Sequence, residues 1–220
     1  EARPMGRLLF FIFREEKMKR VYNFNAGPSP MPLEVLKELQ QDLTDFRNTG
    51  MGITEISHRS DEFQDMLDET KADLHELMHL GDDYKIVFIQ GGGTMQFLMT
   101  AANFLHTKGA YADTGVWAQK AKKTAAFFGE VYDASSAADK DYSYIPDTVQ
   151  IRPDTDYLYL CSNNTIYGTE YKDFPKTDIP IIADMSSDIL SREIDFNRFS
   201  LIWAGIQKNL GAAGCAFAAI

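Results

Sequence analysis

The chain has 220 residues, 45% hydrophobic and 25% charged, an ordinary composition that excludes disordered, collagen-like and low-complexity classes and fits one globular domain, or one large domain with part of a second. Twenty-two Lys and Arg against 32 Asp and Glu leave a formal charge of -10, a field that repels nucleic acid and anionic lipid, so any anionic ligand needs a local site. Cys161 and Cys215 lie far apart in apolar surroundings and give neither a disulfide framework nor a metal-binding spacing, which makes a reducing cytoplasm the default setting and metal ligation unexpected.

Near the start, Leu8 to Phe13 form an apolar run between Arg7 and Arg14. It falls far short of the ~20 apolar residues that span a bilayer, and no small-residue cleavage site follows it. No membrane association is expected. Residues 1–17 read as a leader foreign to the fold, with a short strand as the alternative, and residues 18–220 as the folded part.

Leu33, Leu36, Leu39, Leu43 and Phe46 recur at spacings of three and four, the stripe of an amphipathic helix whose other face carries Glu34, Lys37, Glu38 and Asp42. Pro32 suits its first turn. A second helix is marked by Ser60 as N-cap, Asp61 and Glu62 in the first turn, the stripe Phe63, Met66, Leu67, Leu74 and Leu77, and Gly81 beyond its end. Short apolar runs without alternation then follow at 86–89, 157–161, 179–183 and 201–204. Such runs predict strands buried on both faces, and hence an α/β fold with a mostly parallel sheet between layers of helices.

Ligands of such sheets gather at the carboxyl ends of the strands. After Ile89 comes Gln90-Gly91-Gly92-Gly93-Thr94 and then a helical stretch to Leu105, a turn in which glycine lets backbone N–H groups approach an anion at a helix N-terminus. The pattern is neither a P-loop nor a clean GxGxxG, so a nucleoside triphosphate is disfavoured; a purely structural turn is the plain alternative. Asp184 follows the third apolar run and Lys208 the fourth. A lysine in a mostly apolar, glycine-flanked segment is costly to bury unless it is paired, neutral or covalently used. A lysine on a solvated loop is its plain alternative. Together a phosphate turn, a strand-end carboxylate and a lysine are the parts of a pyridoxal-phosphate site, which needs donors for the phosphate, an anion for the protonated ring nitrogen and an amine for the aldehyde.

Several stretches make the likeness specific: Tyr22 to Pro28, Ser57 to Phe63, Gln90 to Phe97, Asn163 to Glu170, and Asp184 to Arg192 with Ala204 to Gly211. In this order they resemble the phosphoserine aminotransferases, a family of fold-type-I enzymes dependent on pyridoxal 5'-phosphate. A generic aminotransferase would share the Asp and Lys but not the Asn-Phe-x-Ala-Gly-Pro opening or the His-Arg-Ser segment. The resemblance implies Lys208 as the Schiff-base lysine and Asp184 as the partner of the ring nitrogen. It gives the cofactor phosphate to Gly93, Thr94 and Gln207, ring stacking to Trp117, and the ring's 3-oxygen to Thr165. His58 and Arg59 are implied as ligands of the substrate phosphate. Each of these has a structural alternative: Trp117 as core, Thr165 as a turn residue, His58 and Arg59 as a surface pair ahead of a helix.

The implied reaction is transamination between glutamate and 3-phosphohydroxypyruvate, giving phosphoserine and 2-oxoglutarate in the serine biosynthetic route, by a cytoplasmic homodimer. Two departures stand out: Ala212 occupies a position where the family usually has Pro, and Ala26 one where some members carry a small polar residue. The resemblance also implies that residues 18–220 hold the N-terminal segment and most of the large domain. The small C-terminal domain, with the arginine for the substrate carboxylate, and a segment from a second subunit would lie elsewhere, so residues 1–220 alone are expected to lack turnover. The alternatives are another fold-type-I enzyme of this cofactor, such as a small-amino-acid aminotransferase or a desulfurase-like relative, and a non-catalytic fragment.

Overall fold

A computed structural model describes residues 20–220. The leader expected over residues 1–17 lies outside the described residues. In chain order the main elements are helices α1 (Leu33–Asp42) and α2 (Asp61–Met78), strand β1 (Ile86–Gln90), α3 (Gly93–Phe104), β2 (Lys108–Asp113), α4 (Val116–Ala125), β3 (Glu130–Ser136) and β4 (Thr155–Cys161). A two-residue pair β5 (Asn163–Asn164) and β6 (Thr169–Glu170) follows, then β7 (Ile181–Asp184), β8 (Leu201–Gly205) and β9 (Cys215–Ala219).

Seven strands form one sheet in the order β1-β9-β8-β7-β4-β2-β3. All neighbours from β8 to β3 run parallel, and β9 is antiparallel to both β8 and β1. The expected α/β fold with a mostly parallel sheet is therefore present. Its centre is the apolar stretch of the sequence: β7 and β8 are buried at every position and β4 from Tyr157 onward. The third run starts two residues later than its expected start at Ile179, because Pro180 has no N–H for a ladder bond. Strand β1 departs further from expectation. It stands at a sheet edge, paired antiparallel, with only Ile86 buried and Val87 and Phe88 exposed. An antiparallel edge tolerates solvent on one side where an inner parallel strand does not.

Residues alternate between two core layers. Leu160, Ala183, Ile202 and Phe217 point to one side, where they meet Leu74 and Met78 of α2 with Met185, Ile189 and Phe199. Tyr159, Ile182 and Trp203 point to the other, against Phe97 and Ala101 of α3 and Ala121 and Ala125 of α4. The fully buried Trp203 indole meets the Phe97 ring edge-on, with centroids 5.6 Å apart. Truncating such an aromatic core residue to Ala costs about 3–5 kcal/mol.

Helix α2 begins as its sequence dictates, the Ser60 hydroxyl accepting from the Phe63 N–H at 3.4 Å. It ends earlier than Gly81, at His79, which adopts the left-handed conformation with φ 49°. The stripe of α1 is only partly covered among the described residues: Leu33 and Leu36 are half-buried, Leu39 and Leu43 exposed, and only Phe46, beyond the helix end, is enclosed.

Candidate active site

The carboxyl ends of β4, β7 and β8 and the N-termini of α3 and α4 surround a cavity of about 370 Å³. Its wall includes Gly93, Thr94, Trp117, Thr165, Asp184, Gln207 and Lys208. The structure thus brings together every residue that the sequence assigned to the cofactor.

Asp184 ends β7 and is 5% exposed. Its Oδ1 accepts from the Ser186 N–H at 3.0 Å and the Ser186 hydroxyl at 2.6 Å, an Asx-turn closure, while Ser186 Oγ in turn accepts from the Gly205 N–H at 3.0 Å. Ser186 therefore ties the carboxylate to the adjacent strand. Among the described residues none donates to the other oxygen, Oδ2. Burial pushes the Asp184 carboxyl up to about 6, against the opposing effects of the Ser186 bonds and the charge of Lys208. A cation brought to Oδ2 would offset that desolvation.

Lys208 lies in the turn after β8, its Nζ 5.8 Å from the centre of the Trp117 ring. Trp117 sits in the first turn of α4, and its Nε1 donates to Thr165 Oγ1 at 3.2 Å. Gly115 sets that helix start with φ 146°, in space where a Cβ would meet the Asn164 amide at 2.5 Å. The same amide donates to the Thr114 carbonyl and, at 3.3 Å, to Thr169 Oγ1. Opposite, Gly91 turns the chain out of β1 with φ 91°, and the Met95 and Gln96 N–H groups both reach the Gly92 carbonyl. The N–H groups of Gly93 and Thr94 precede these first helical bonds, where a helix favours an anion.

His58 and Arg59 lie elsewhere. Both are exposed, do not line the cavity, and bond to each other, Arg59 Nε to His58 Nε2 at 3.3 Å. Gln64 of α2 holds the His58 carbonyl at 2.7 Å.

Sequence reasoning passed over Ser186, Ser187, Asn163 and Cys161, which also line the cavity. The Asp-x-Ser spacing at a strand end was the available sign for Ser186. A deeper carboxylate, Asp188, is 2% exposed and accepts from Ser162 Oγ. Ser162 Oγ also lies 3.0 Å from the Asp184 carbonyl, and burial pushes Asp188 up to about 6.

An indole face, an amine, a buried carboxylate and a helix N-terminus converge on one pocket at the strand ends of a mostly parallel sheet. That arrangement defines an α/β domain built to hold a flat, anionic, basic-ringed cofactor. A family model described as aminotransferase class-V matches residues 21–220. The chain belongs to the class-V aminotransferase family. It is 49% identical to the phosphoserine aminotransferase of Lysinibacillus sphaericus, over 89% of this chain and 56% of that relative. The solved phosphoserine aminotransferase of Bacillus circulans subsp. alkalophilus superposes with a TM-score of 0.89 at 43% identity, over 91% of this chain and 57% of that one. A pyridoxal-phosphate-bound phosphoserine aminotransferase of Trichomonas vaginalis gives 0.85 at 34% identity, over 91% and 58%. The chain spans little more than half the length of these relatives. No helix among the described residues is long and apolar enough to cross a membrane.

Proposed function

We propose that this chain carries the pyridoxal 5'-phosphate pocket of a phosphoserine aminotransferase, which exchanges the amino group of glutamate for the keto group of 3-phosphohydroxypyruvate in serine biosynthesis. The convergence of Lys208, Asp184 and Trp117 on one cavity carries the reading. The pocket fits the cofactor on its own chemistry: the largely buried Asp184 carboxylate lines the cavity with its Oδ2 without a donor among the described residues, and the α3 N-terminus offers N–H groups to a phosphate.

When bound, pyridoxal phosphate supplies an aldehyde that takes up amino groups and a ring that accepts the electron pair left by a departing Cα proton. The chain does the rest. Asp184 holds the proton on the ring nitrogen through Oδ2, and Ser186 keeps Oδ1 fixed so that the carboxylate does not rotate away. Gly93, Thr94 and Gln207 would hold the phosphate, Trp117 would stack on the ring, and Thr165 would hydrogen-bond its 3-oxygen. Lys208 would hold the cofactor aldehyde through Nζ, and as a free amine that Nζ would serve as the base for the proton at the substrate Cα. His58 and Arg59 are proposed for the substrate phosphate, Arg59 with a planar fork suited to bidentate binding.

A homodimer is proposed for the complete protein, supported by the exposed apolar residues Val35 and Leu39 on α1 and Met95 and Leu98 on α3. A cytoplasmic setting is proposed, in keeping with the free thiols of Cys161 and Cys215.

The test uses a chain extended through the C-terminal region of the relatives and loaded with pyridoxal phosphate. Glutamate should release 2-oxoglutarate, and subsequent 3-phosphohydroxypyruvate should yield phosphoserine, with neither product from Lys208→Ala. Release of 2-oxoglutarate without use of the phosphorylated keto acid would assign the pocket to a different aminotransferase.

A further inference from the structure

The opening segment Asn23 to Pro28, which sets this sequence apart from a generic aminotransferase, has no part in the reaction described so far. Its place in the structure supplies one. The chain from Asn25 to Ser29 runs over the turn that carries Lys208, and the Ser29 N–H donates to the Gln207 carbonyl at 2.9 Å. Gly27 lies directly against the lysine stem: a Cβ on it would stand 3.1 Å from Lys208 Cγ, 3.6 Å from Cε and 3.8 Å from Cδ. Its φ of 154° is one that L side chains rarely adopt.

A lysine stem has four rotatable bonds and gains little by choosing one path unless something packs along it. Strand β8 and its turn fix where Lys208 starts, and the Trp117 ring at 5.8 Å marks where its Nζ arrives. Between these two ends, the backbone at Gly27 supplies the wall. We propose that the segment from Asn25 to Ser29 is a positioning strap for Lys208, with Gly27 as the residue whose bare Cα lets the stem lie flat and Ser29 as its tie to the lysine turn. The inference rests on the cofactor reading above, because it concerns how Lys208 is presented to the cofactor aldehyde. Gly27 is a positioning residue: it lies against the Lys208 stem and is not among the residues that line the cavity.

The strap makes a demand that a general packing role does not. An added Cβ at position 27 must displace the lysine stem, so the damage must pass through Lys208. Gly27→Ala should lower the rate at which pyridoxal phosphate becomes fixable on Lys208 by borohydride roughly two- to tenfold, the size of an off-rotamer penalty on one side chain. It should also move the pH midpoint of the bound cofactor's absorbance. Gly27→Val should do both more strongly.

The experiment is a double-mutant cycle on the 220-residue chain. Cofactor affinity is measured by equilibrium dialysis for wild type, Gly27→Ala, Lys208→Ala and the double variant, alongside borohydride fixing and peptide mass for the two forms that keep the lysine. The expected result is a loss in Gly27→Ala that vanishes in the Lys208→Ala background. An equal loss in both backgrounds, or identical fixing rates and pH midpoints in wild type and Gly27→Ala, would overturn the strap while leaving the cofactor reading intact. Failure of wild type to be fixed at Lys208 would overturn that reading and the strap with it. Circular dichroism of Gly27→Ala separates a local shift from unfolding, and the loss should appear with the wild-type spectrum retained.

Discussion

Trp117 Nε1 donates to Thr165 Oγ1 at 3.2 Å across 48 positions of sequence. The indole N–H thereby occupies an acceptor site of the hydroxyl and leaves the hydroxyl proton to be given onward, which is what a ring 3-oxygen would need. Stacking and hydroxyl orientation thus belong to the same side chain. Trp117→Phe keeps a ring face but loses the N–H, and should weaken cofactor binding about fivefold, the worth of one hydrogen bond of ~1 kcal/mol. Trp117→Ala should lose more, because the aromatic pair adds ~0.5–1.5 kcal/mol beyond area burial. Equilibrium dialysis of both variants checks the order: wild-type affinity in Trp117→Phe would show that the N–H has no share, and equal losses in the two variants that the ring face has none.

Asp184 predicts a stability that falls as pH rises. Its carboxyl sits at 3.8 when unfolded and is pushed by burial to about 6 when folded, so between those values the folded chain holds the extra proton. The favourable contribution is full below 3.8 and is lost as pH rises through about 6. Asp184→Asn should therefore stabilise the cofactor-free chain at pH 8 by roughly 2–3 kcal/mol, with the gain vanishing toward pH 4, while weakening cofactor binding. Urea unfolding across this range reads it directly; a less stable Asp184→Asn at pH 8 would contradict the desolvation argument.

Asp188 and Ser162 form the layer beneath. The single Ser162 hydroxyl lies within bonding distance of both Asp188 Oδ1 and the Asp184 carbonyl, yet it has one proton to give. Asp188→Asn keeps an acceptor, its amide oxygen, toward Ser162 and should be close to wild type in stability. Asp188→Ala strips the bridge and should cost about 1–3 kcal/mol. Urea midpoints for the two variants decide, and equal midpoints would remove the bridge from the account.

Gly115→Ala should be among the more damaging small substitutions. The new Cβ would stand 2.5 Å from Asn164 Nδ2 at a φ of 146°, and the Asn164 bond to the Thr114 carbonyl would break. A loss of about 1–3 kcal/mol and a shifted Trp117 fluorescence maximum are expected. A thermal midpoint equal to that of wild type would show that the turn yields without cost.

The parts of the fold legible in the sequence were those written in large apolar residues. Strands β4 and β8 are recognisable because Tyr157 to Cys161 and Leu201 to Ala204 are apolar without a break. Strands β2 and β9 were not, because Gly109, Ala110, Ala112, Ala216, Ala218 and Ala219 carry little β signal; close contact with neighbouring layers favours such small residues. In the site, Asp184 and Lys208 were legible because each follows a buried strand. The stripe of α1 marks the apolar face of an amphipathic helix, and periodicity alone cannot say which partner covers it. His58 and Arg59 illustrate the same limit, since their motif fixes a local turn but not the pocket it serves.

The most direct test is covalent. The 220-residue chain is mixed with pyridoxal phosphate, reduced with borohydride, digested and weighed peptide by peptide. The account predicts one dominant modified peptide, carrying the reduced cofactor on Lys208, and none at that position in Lys208→Ala. Modification spread evenly over exposed lysines such as Lys120 and Lys172, with Lys208 unlabelled, would contradict it.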